Sequence, residues 1–228
     1  MPSVLHQGPH LAVVNKPAGM PVQPDPSGDP DLLSWARKAL GSPELELVNR
    51  LDRPVCGVVV LASGAMLSAL NNAFRERRVR KLYRAVVEGV VGPEDQVQLE
   101  HAIVHDTRSH KARTVADPAA GARTVRLKVR VLGRAERYTL VEIEPDGGAF
   151  HQIRAQLSGW GHPIKGDVKY GARRGEKDRS IALQAASITL PGVPDDPPLT
   201  VDVPLPEQGP WRLFRDSGAG GTVQDAPR

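Results

Sequence analysis

The most regular pattern in the sequence is the alternation of apolar and polar residues between Arg123 and Val131. A period of two is that of a β-strand with one buried face. Antiparallel sheets commonly leave the opposite face in water, whereas parallel sheets are covered on both faces. The pattern predicts an antiparallel sheet with one apolar face and one wet, cationic face: Val125, Leu127, Val129 and Val131 against Thr124, Arg126, Lys128 and Arg130.

Shorter apolar segments predict further strands, close enough in sequence to pair antiparallel. Helix-end residues predict one helix with Asp29 as N-cap, Pro30 as its first residue and Gly41 as its stop, and a second helix opened by Ser63. We therefore expect an α+β fold in which helices flank a largely antiparallel mixed β-sheet. The additional strands are predicted at residues 11–15, 58–62, 81–89, 138–144, 181–190 and 199–203.

Composition limits the classes of protein to which the chain can belong. Its 228 residues, 40% of them hydrophobic, can bury a substantial core, and we expect a single domain. The formal net charge of +4 favours a polyanionic partner such as RNA or DNA. Cys56 is the only cysteine, which excludes an intramolecular disulfide and fits a reducing cytoplasm. With no signal-peptide pattern and no apolar run of roughly 18 residues, we expect a cytoplasmic protein without a membrane segment.

Two segments are too polar or too rich in glycine to belong to the core. Residues 216–228 contain a Gly-Ala-Gly-Gly run and are expected to be a disordered tail, which leaves residues 1–215 as the ordered domain. The basic stretch from Arg108 to Arg113 lies between strands. Either a solvated loop or a phosphate contact would explain that stretch.

A short loop, Asn49-Arg50-Leu51-Asp52, leads through a turn containing Pro54 into the apolar run 58–62. The run is β-branched and too short for a helix, so it predicts a buried strand. The loop therefore mounts a carboxylate rigidly at the edge of a strand. Taken alone, Arg50 and Asp52 would be interpreted as a surface ion pair.

Three other blocks combine cations, aromatic residues and turn residues. Lys81-Leu82-Tyr83 opens one predicted strand, and Val13 to Gly19 ends another in a turn. About 100 residues after Asp52 comes His151-Gln152-Ile153-Arg154, followed by Gly161-His162-Pro163-Ile164-Lys165-Gly166-Asp167. Ile153 and Leu157 are four apart, which predicts a short helix seated on the core. Viewed alone, Arg154 would be a surface arginine.

Together these blocks resemble the RluA-type family of RNA pseudouridine synthases, over residues 10 to about 214. Arg50, Leu51, Asp52 and Gly57 match the family's His-Arg-Leu-Asp block and the glycine before its apolar strand. The Lys81 and Tyr83 pair matches its Lys-x-Tyr strand. The blocks at residues 13–19, 151–154 and 161–167 match its Val-Asn-Lys-Pro-x-Gly, His-Gln-Ile-Arg and Gly-His-Pro-Ile-x-Gly-Asp signatures.

The resemblance implies one α+β catalytic domain with a central active-site cleft and Asp52 at its floor. It implies an isomerase that converts uridine in ribosomal or transfer RNA to pseudouridine without cofactor or metal. Asp52 would be the essential carboxylate, with Tyr83 beside the target base and Arg154 paired with Asp52. A guanidinium keeps such a carboxylate ionised and oriented. The target nucleotide must leave its stack, and Arg50 could fill the vacated space or hold a phosphate.

Further expectations concern the loop around Asp52 and the contacts with RNA. Asn49 stands where the family usually has His, and with Leu51 it is expected to position the loop. Many relatives carry an N-terminal S4 module, for which this chain begins too close to its catalytic domain. Its own cations would then bind structured RNA, and we expect the protein to act as a monomer. The candidate RNA contacts are Lys16, Lys81, Arg126, Lys128 and Arg130.

The sequence is also compatible with other functions. Asn49, together with Cys56 in place of Ser or Thr, motivates a catalytically silent RNA-binding protein of the same fold. A nucleophilic Cys56 with His151 is disfavoured, because Cys56 abuts a buried strand. Paired Glu142 and Glu144 suggest a glycosidase, although sugar-binding aromatic residues do not accompany them. His151 and His162 lack a further ligand at short spacing, which favours structural roles over metal binding.

Overall fold

The computed structural model describes residues 1–116, 121–192 and 197–215, so the expected tail at 216–228 lies outside the described residues. Within them the chain forms one 11-stranded sheet and three α-helices. The helices are α1 (Leu32–Leu40), α2 (Gly64–Arg75) and α3 (Gln152–Gly159). The strands are β1 (Ser3–Gln7), β2 (Leu11–Lys16), β3 (Glu46–Leu47), β4 (Cys56–Ala62), β5 (Arg80–Glu88), β6 (Gln96–Asp106), β7 (Lys111–Val115), β8 (Arg123–Arg134), β9 (Tyr138–Pro145), β10 (Leu183–Leu190) and β11 (Leu199–Asp202).

The sheet is mixed and mostly antiparallel, which confirms the predicted fold class. Its strand order is β1-β2-β4-β10-β5-β9-β8-β6-β7, with β3 paired to β4 and β11 paired to β10. Among the strand pairs of the described residues, β4–β10 is the parallel one and the others are antiparallel. No helix in the described ranges is both long and apolar enough to cross a membrane.

The parallel pair depends on Gly57, the glycine that follows the Asp52 loop. Gly57 has φ +115°, a conformation that side-chain-bearing residues rarely adopt. A Cβ atom at this position would lie 2.2 Å from the carbonyl oxygen of Ala185 in β10. Glycine therefore allows β10 to approach β4 just beyond the loop that carries Asp52.

The two faces of the sheet carry separate cores. In β4, Val59 belongs to a cluster with residues of α1 and α3, whereas Val58 belongs to a second cluster with residues of α2. Consecutive strand residues point to opposite faces, so α2 covers one face and α1 and α3 cover the other. Tyr83 packs against the α1 and α3 cluster.

The alternating face of β8 has the predicted burial, but its charge differs from the prediction. Arg126, Lys128 and Arg130 are exposed, while the intervening Leu127 and Val129 are buried. Arg126 pairs with Glu100 at 2.7 Å, and Arg130 pairs with Glu142 at 2.8 Å. The predicted cationic face is therefore a surface of mixed charge, because glutamates on β6 and β9 lie opposite its arginines.

The start of α1 also differs from the prediction. Its N-cap is Asp31, whose side chain accepts a hydrogen bond from the Ser34 amide at 2.9 Å. Asp29 instead binds the guanidinium of Arg53, so it is not available as the cap. Gly41 ends the helix with φ 64°, as expected for a left-handed C-terminal glycine.

Candidate active site

A buried arginine bridges two carboxylates that are distant in the sequence. Arg154, in the first turn of α3, donates from Nη1 to Asp52 Oδ2 at 2.9 Å. Its Nε and Nη2 donate to the two oxygens of Asp167 at 2.7 and 2.9 Å. Arg154 is 5% exposed and Asp167 is 1% exposed. The structure thus contains the pair of Arg154 with Asp52 that the family resemblance implied, whereas Asp167 was not identified from the sequence as the second partner of Arg154.

The two carboxylates stabilise the positive charge of Arg154. Burial alone would lower the pKa of Arg154, but the hydrogen bond with Asp167 and the charges of Asp167 and Asp52 raise it overall. A buried guanidinium whose Nε, Nη1 and Nη2 all donate hydrogen bonds has little freedom to rotate. Asp167 thus fixes the orientation in which Arg154 meets Asp52.

His151 forms a second contact with Asp52. Its Nε2 lies 3.2 Å from Asp52 Oδ2, and its Nδ1 lies 2.8 Å from the Tyr170 hydroxyl. Nη1 of Arg154 gives one proton to Asp52 Oδ2 and the other to Nε2 of His151 at 3.0 Å, and because a guanidinium can only donate, Nε2 is the acceptor nitrogen of the ring. The ring proton is therefore assigned to Nδ1, which donates to the Tyr170 hydroxyl. That hydroxyl also accepts a hydrogen bond from the Ala112 amide at 2.9 Å.

Burial and the charge of Arg154 lower the pKa of His151 to about 4, against the opposing effect of Asp52. The imidazole is therefore neutral at neutral pH. A neutral His151 accepts a hydrogen bond from Arg154 and adds no second positive charge to the site. The sequence signal for this residue was its place in the His-Gln-Ile-Arg block.

A small cavity of about 120 Å³ opens beside Asp52 and Arg154. This volume is well below that of pockets for drug-sized ligands, and it suits a single planar ring. Burial, and then the charge of Asp52, raise the pKa of Tyr83 to about 12, so its phenol stays neutral. The walls away from the charged groups are largely apolar or aromatic: Val55, Tyr83, Ile153 and Leu183.

Outside the cavity lies a wider vestibule of about 520 Å³. Arg50 is exposed and lines both the cavity and the vestibule, as Asp52 also does. Phe150, which is 42% exposed, lines the vestibule and stacks on His151 with ring centroids 3.8 Å apart. Phe150 stands in a turn before α3, so no periodic pattern pointed to it.

Several side chains hold the Asp52 loop in place. Asn49 Oδ1 accepts a hydrogen bond from the Val60 amide at 2.7 Å, which ties the loop to β4. Leu51 is buried in the core, and the Val55 amide donates to the Asp52 carbonyl at 3.0 Å. Arg53 donates from Nε to the Gly19 carbonyl at 2.9 Å. These contacts anchor both ends of the loop, and Arg53 was not identified from the sequence.

Lys16 is 0% exposed, which corrects its expected role as an RNA contact. Its ammonium donates to the carbonyls of Pro17, Met20 and Arg53 at 3.0, 2.8 and 3.2 Å. Burial lowers the pKa of Lys16 to about 8. The side chain is enclosed because it joins the turn after β2 to the residue next to Asp52.

The remaining candidate RNA contacts are not equivalent. Lys81 lies on the Tyr83 face of β5 and donates to the Gly147 carbonyl at 2.7 Å, and burial lowers the pKa of its amine. Tyr83 is opposite Ile143 in β9, which is opposite Val129 in β8. Because strand residues alternate between faces, the cations of β8 lie on the other face of the sheet from the cavity: Arg126, Lys128 and Arg130.

The geometry disfavours the other chemistries considered from the sequence. Burial raises the pKa of Cys56 to about 11, which makes it a poor nucleophile. Glu142 and Glu144 pair with Arg130 and Arg80, on the sheet face away from Asp52. Within the described ranges, no group of three His, Cys, Asp or Glu residues is placed to hold a metal ion.

Comparison with known proteins gives consistent matches. Residues 10–159 match the family described as RNA pseudouridylate synthase. The tRNA pseudouridine synthase C of Salmonella typhi is 31% identical over 100% of this chain and 94% of its own length. The ribosomal large subunit pseudouridine synthase C of Vibrio vulnificus (strain CMCP6) is 30% identical over 90% of this chain and 66% of its own length. The structure of human RNA Pseudouridylate Synthase Domain Containing 4 has a TM-score of 0.73 and 28% identity, covering 94% of this chain and 90% of that one.

Proposed function

This chain belongs to the RluA-type family of RNA pseudouridine synthases, and on that premise we propose that it isomerises specific uridines in transfer or ribosomal RNA, with Asp52 as the catalytic carboxylate. The observation that carries the proposal is the Asp52 carboxylate, held by Arg154 at 2.9 Å, at the opening of a ring-sized cavity beside Tyr83. The enzyme would act as a monomer in the cytoplasm.

The cavity suits the demands of this isomerisation. The reaction breaks the bond between N1 of uracil and C1′ of ribose and makes a bond between C5 and C1′. The C5 proton is released and N1 gains a proton, so the composition of the nucleotide is unchanged. A stacked nucleotide cannot present these atoms, and the uridine must be flipped out of the RNA. The apolar wall of Tyr83, Val55 and Leu183 would receive the extruded ring.

Asp52 is arranged to act as an anion. Oδ2 accepts a hydrogen bond from Arg154 and lies 3.2 Å from Nε2 of His151, while Oδ1 has no hydrogen-bond partner among the residues that the structure describes. The side chain is 31% exposed, so one oxygen can meet a nucleoside while the other is held. A guanidinium fixes the orientation of a carboxylate through charge-assisted hydrogen bonds. The anion would provide the base or nucleophile that each route to glycosidic cleavage requires.

Arg50 and Tyr83 would bind the substrate on either side of Asp52. Arg50 is exposed at the lip of the cavity and makes no ion pair within the described part of the chain. It could therefore occupy the gap left by the flipped nucleotide or hold an adjacent phosphate. Tyr83, neutral and partly buried, would lie against the extruded base.

Site-resolved mapping of pseudouridine in transfer and ribosomal RNA tests the proposal. A strain that lacks the gene should lose pseudouridine at one or a few positions. The wild-type gene should restore them, and a gene carrying Asp52→Asn should not. Restoration by both genes would refute the role of Asp52. No lost position would refute the proposed activity and favour an RNA-binding protein without turnover.

A further inference from the structure

A second groove, of about 750 Å³, adjoins the Asp52 cavity. The two share the turn at Pro145, Gly147 and Gly148, and Lys81 fixes this turn through its hydrogen bond with the Gly147 carbonyl. From the turn the groove passes the start of β5 to the end of α2. Eight cationic residues and two acidic residues line it, and we call it the basic groove.

Only part of this charge is neutralised by ion pairs. Arg80 pairs with Glu144 at 2.9 Å, and Arg78 and Arg126 pair with Glu76 and Glu100, each at 2.7 Å. Arg77, Arg123 and Lys128 are exposed and make no ion pair within the described ranges. The surplus positive charge therefore lies on the walls of the groove, at the end of α2 and along β8.

The chemistry of the groove fits a sugar-phosphate backbone. Arginine and lysine side chains bind phosphates by charge and hydrogen bonds, without reading base identity. The aromatic residue in the lining, Phe74, is partly buried against the core of α2 and offers little surface for base stacking. A bound chain that continues from the cavity past Gly148 would place its backbone against these cations.

We propose that the basic groove binds the phosphates of the RNA segment adjoining the flipped uridine. The proposal rests on the proposed function, because it takes the RNA in the Asp52 cavity as its starting point. The groove would supply affinity that is independent of sequence, whereas the cavity would select the uridine. It would also give the β8 cations an RNA contact on the face of the sheet away from Asp52.

The test measures the affinity of the full-length protein for unfractionated tRNA between 50 and 200 mM salt. The double variant Arg77→Ala/Lys128→Ala removes two cations that have no ion pair. A plot of log affinity against log salt has a negative slope, and each lost phosphate contact should make it shallower by about 0.7–0.9. Each lost contact should also weaken binding roughly fivefold at 0.1 M salt. The matched control, Arg173→Ala/Arg174→Ala, removes two exposed cations near the opposite end of β5 and should change neither quantity.

A second variant gives an effect in the opposite direction. Glu144→Gln removes an anion from the groove and releases Arg80 from its ion pair. It should tighten tRNA binding, which a merely disruptive substitution would not do. Equal affinities for the Arg77/Lys128 variant and its control would overturn the proposal. If the groove variants change tRNA affinity but the wild-type protein forms no pseudouridine, the groove binds RNA and the proposed function is wrong. If the wild-type protein forms pseudouridine but the groove variants bind tRNA as the wild type does, the proposed function holds and the role of the groove is wrong.

Discussion

Asp167 holds the guanidinium of Arg154 through two hydrogen bonds, so that Nη1 remains directed at Asp52, which lies 102 residues before Arg154 in the chain. The catalytic carboxylate that we propose is thus oriented by a residue that never contacts it. A buried ion pair with complete hydrogen bonding is costly to disrupt, because removing one partner leaves the other charge uncompensated.

Asp167→Asn should lower kcat by about 100-fold and leave KM for RNA nearly unchanged, because a misdirected Arg154 would displace Asp52 rather than the RNA-binding surface. The asparagine amide has one oxygen, so it cannot accept the hydrogen bonds of both Nε and Nη2 of Arg154 as the two carboxylate oxygens do. The free energy of unfolding should fall by about 3 kcal/mol. Steady-state kinetics and urea denaturation measure these changes, with exposed Asp95→Asn as the control. A kcat equal to that of the control would contradict the orienting role.

His151 should make the stability of the protein depend on pH. Its pKa is about 4 in the folded protein and about 6.5 in an unfolded chain, so the unfolded state binds more protons between these values. The contribution of His151 to the free energy of unfolding is fully present above pH 6.5 and is lost as the pH falls toward 4. Unfolding free energies of the wild type and His151→Gln should therefore converge as the solution is acidified. A difference that stays constant over this range would show that His151 is not held neutral by the fold.

Lys16→Met should weaken the fold but not the electrostatic component of RNA binding. Three carbonyl groups lose a buried donor, which should lower the free energy of unfolding by about 1–3 kcal/mol. Because the side chain is enclosed, the salt dependence of tRNA binding should match that of the wild type. Lys128→Ala, which removes an exposed cation, provides the comparison. A reduced salt slope for the Lys16 variant would mean that this lysine reaches the RNA.

Gly57→Ala should destabilise the protein by about 3 kcal/mol or more, because strain at positive φ adds to a clash with Ala185. The methyl group would push β10 away from β4 and disturb the loop that carries Asp52. Thermal or urea unfolding measures the loss of stability. Gly19→Ala, at φ +84° with no neighbour within 4 Å, separates the backbone strain from the clash. Equal losses in the two variants would assign the whole effect to strain.

The sequence predicted those features that depend on local periodicity and on recognisable blocks. The alternation around Tyr83 identified its strand. The family resemblance of the blocks around Asp52, Tyr83 and Arg154 implied that Arg154 pairs with Asp52. Asp29 was wrongly chosen as a helix cap because Arg53, from another segment, competes for its carboxylate. Periodicity placed the β8 cations on one face, but only strand register shows that this face lies away from Tyr83.

Burial was the other property that local sequence did not reveal. Lysine is a residue type that is usually exposed. Lys16 is nevertheless enclosed, because carbonyl groups of a turn and of Arg53 surround it in three dimensions. Asp167 stood in a recognised block, but its role required the position of a helix 13 residues earlier. Tertiary contacts of this kind determine the site without leaving a periodic signal.

The central claim is that Asp52 performs the isomerisation, and tritium release measures this step directly. RNA from a strain lacking the gene, labelled at C5 of uridine, would be incubated with purified protein. Formation of the new carbon–carbon bond releases the C5 label into water. Wild-type protein should release tritium and Asp52→Asn should release none above background, while both bind tRNA with similar affinity. Equal release by the two proteins would contradict the account.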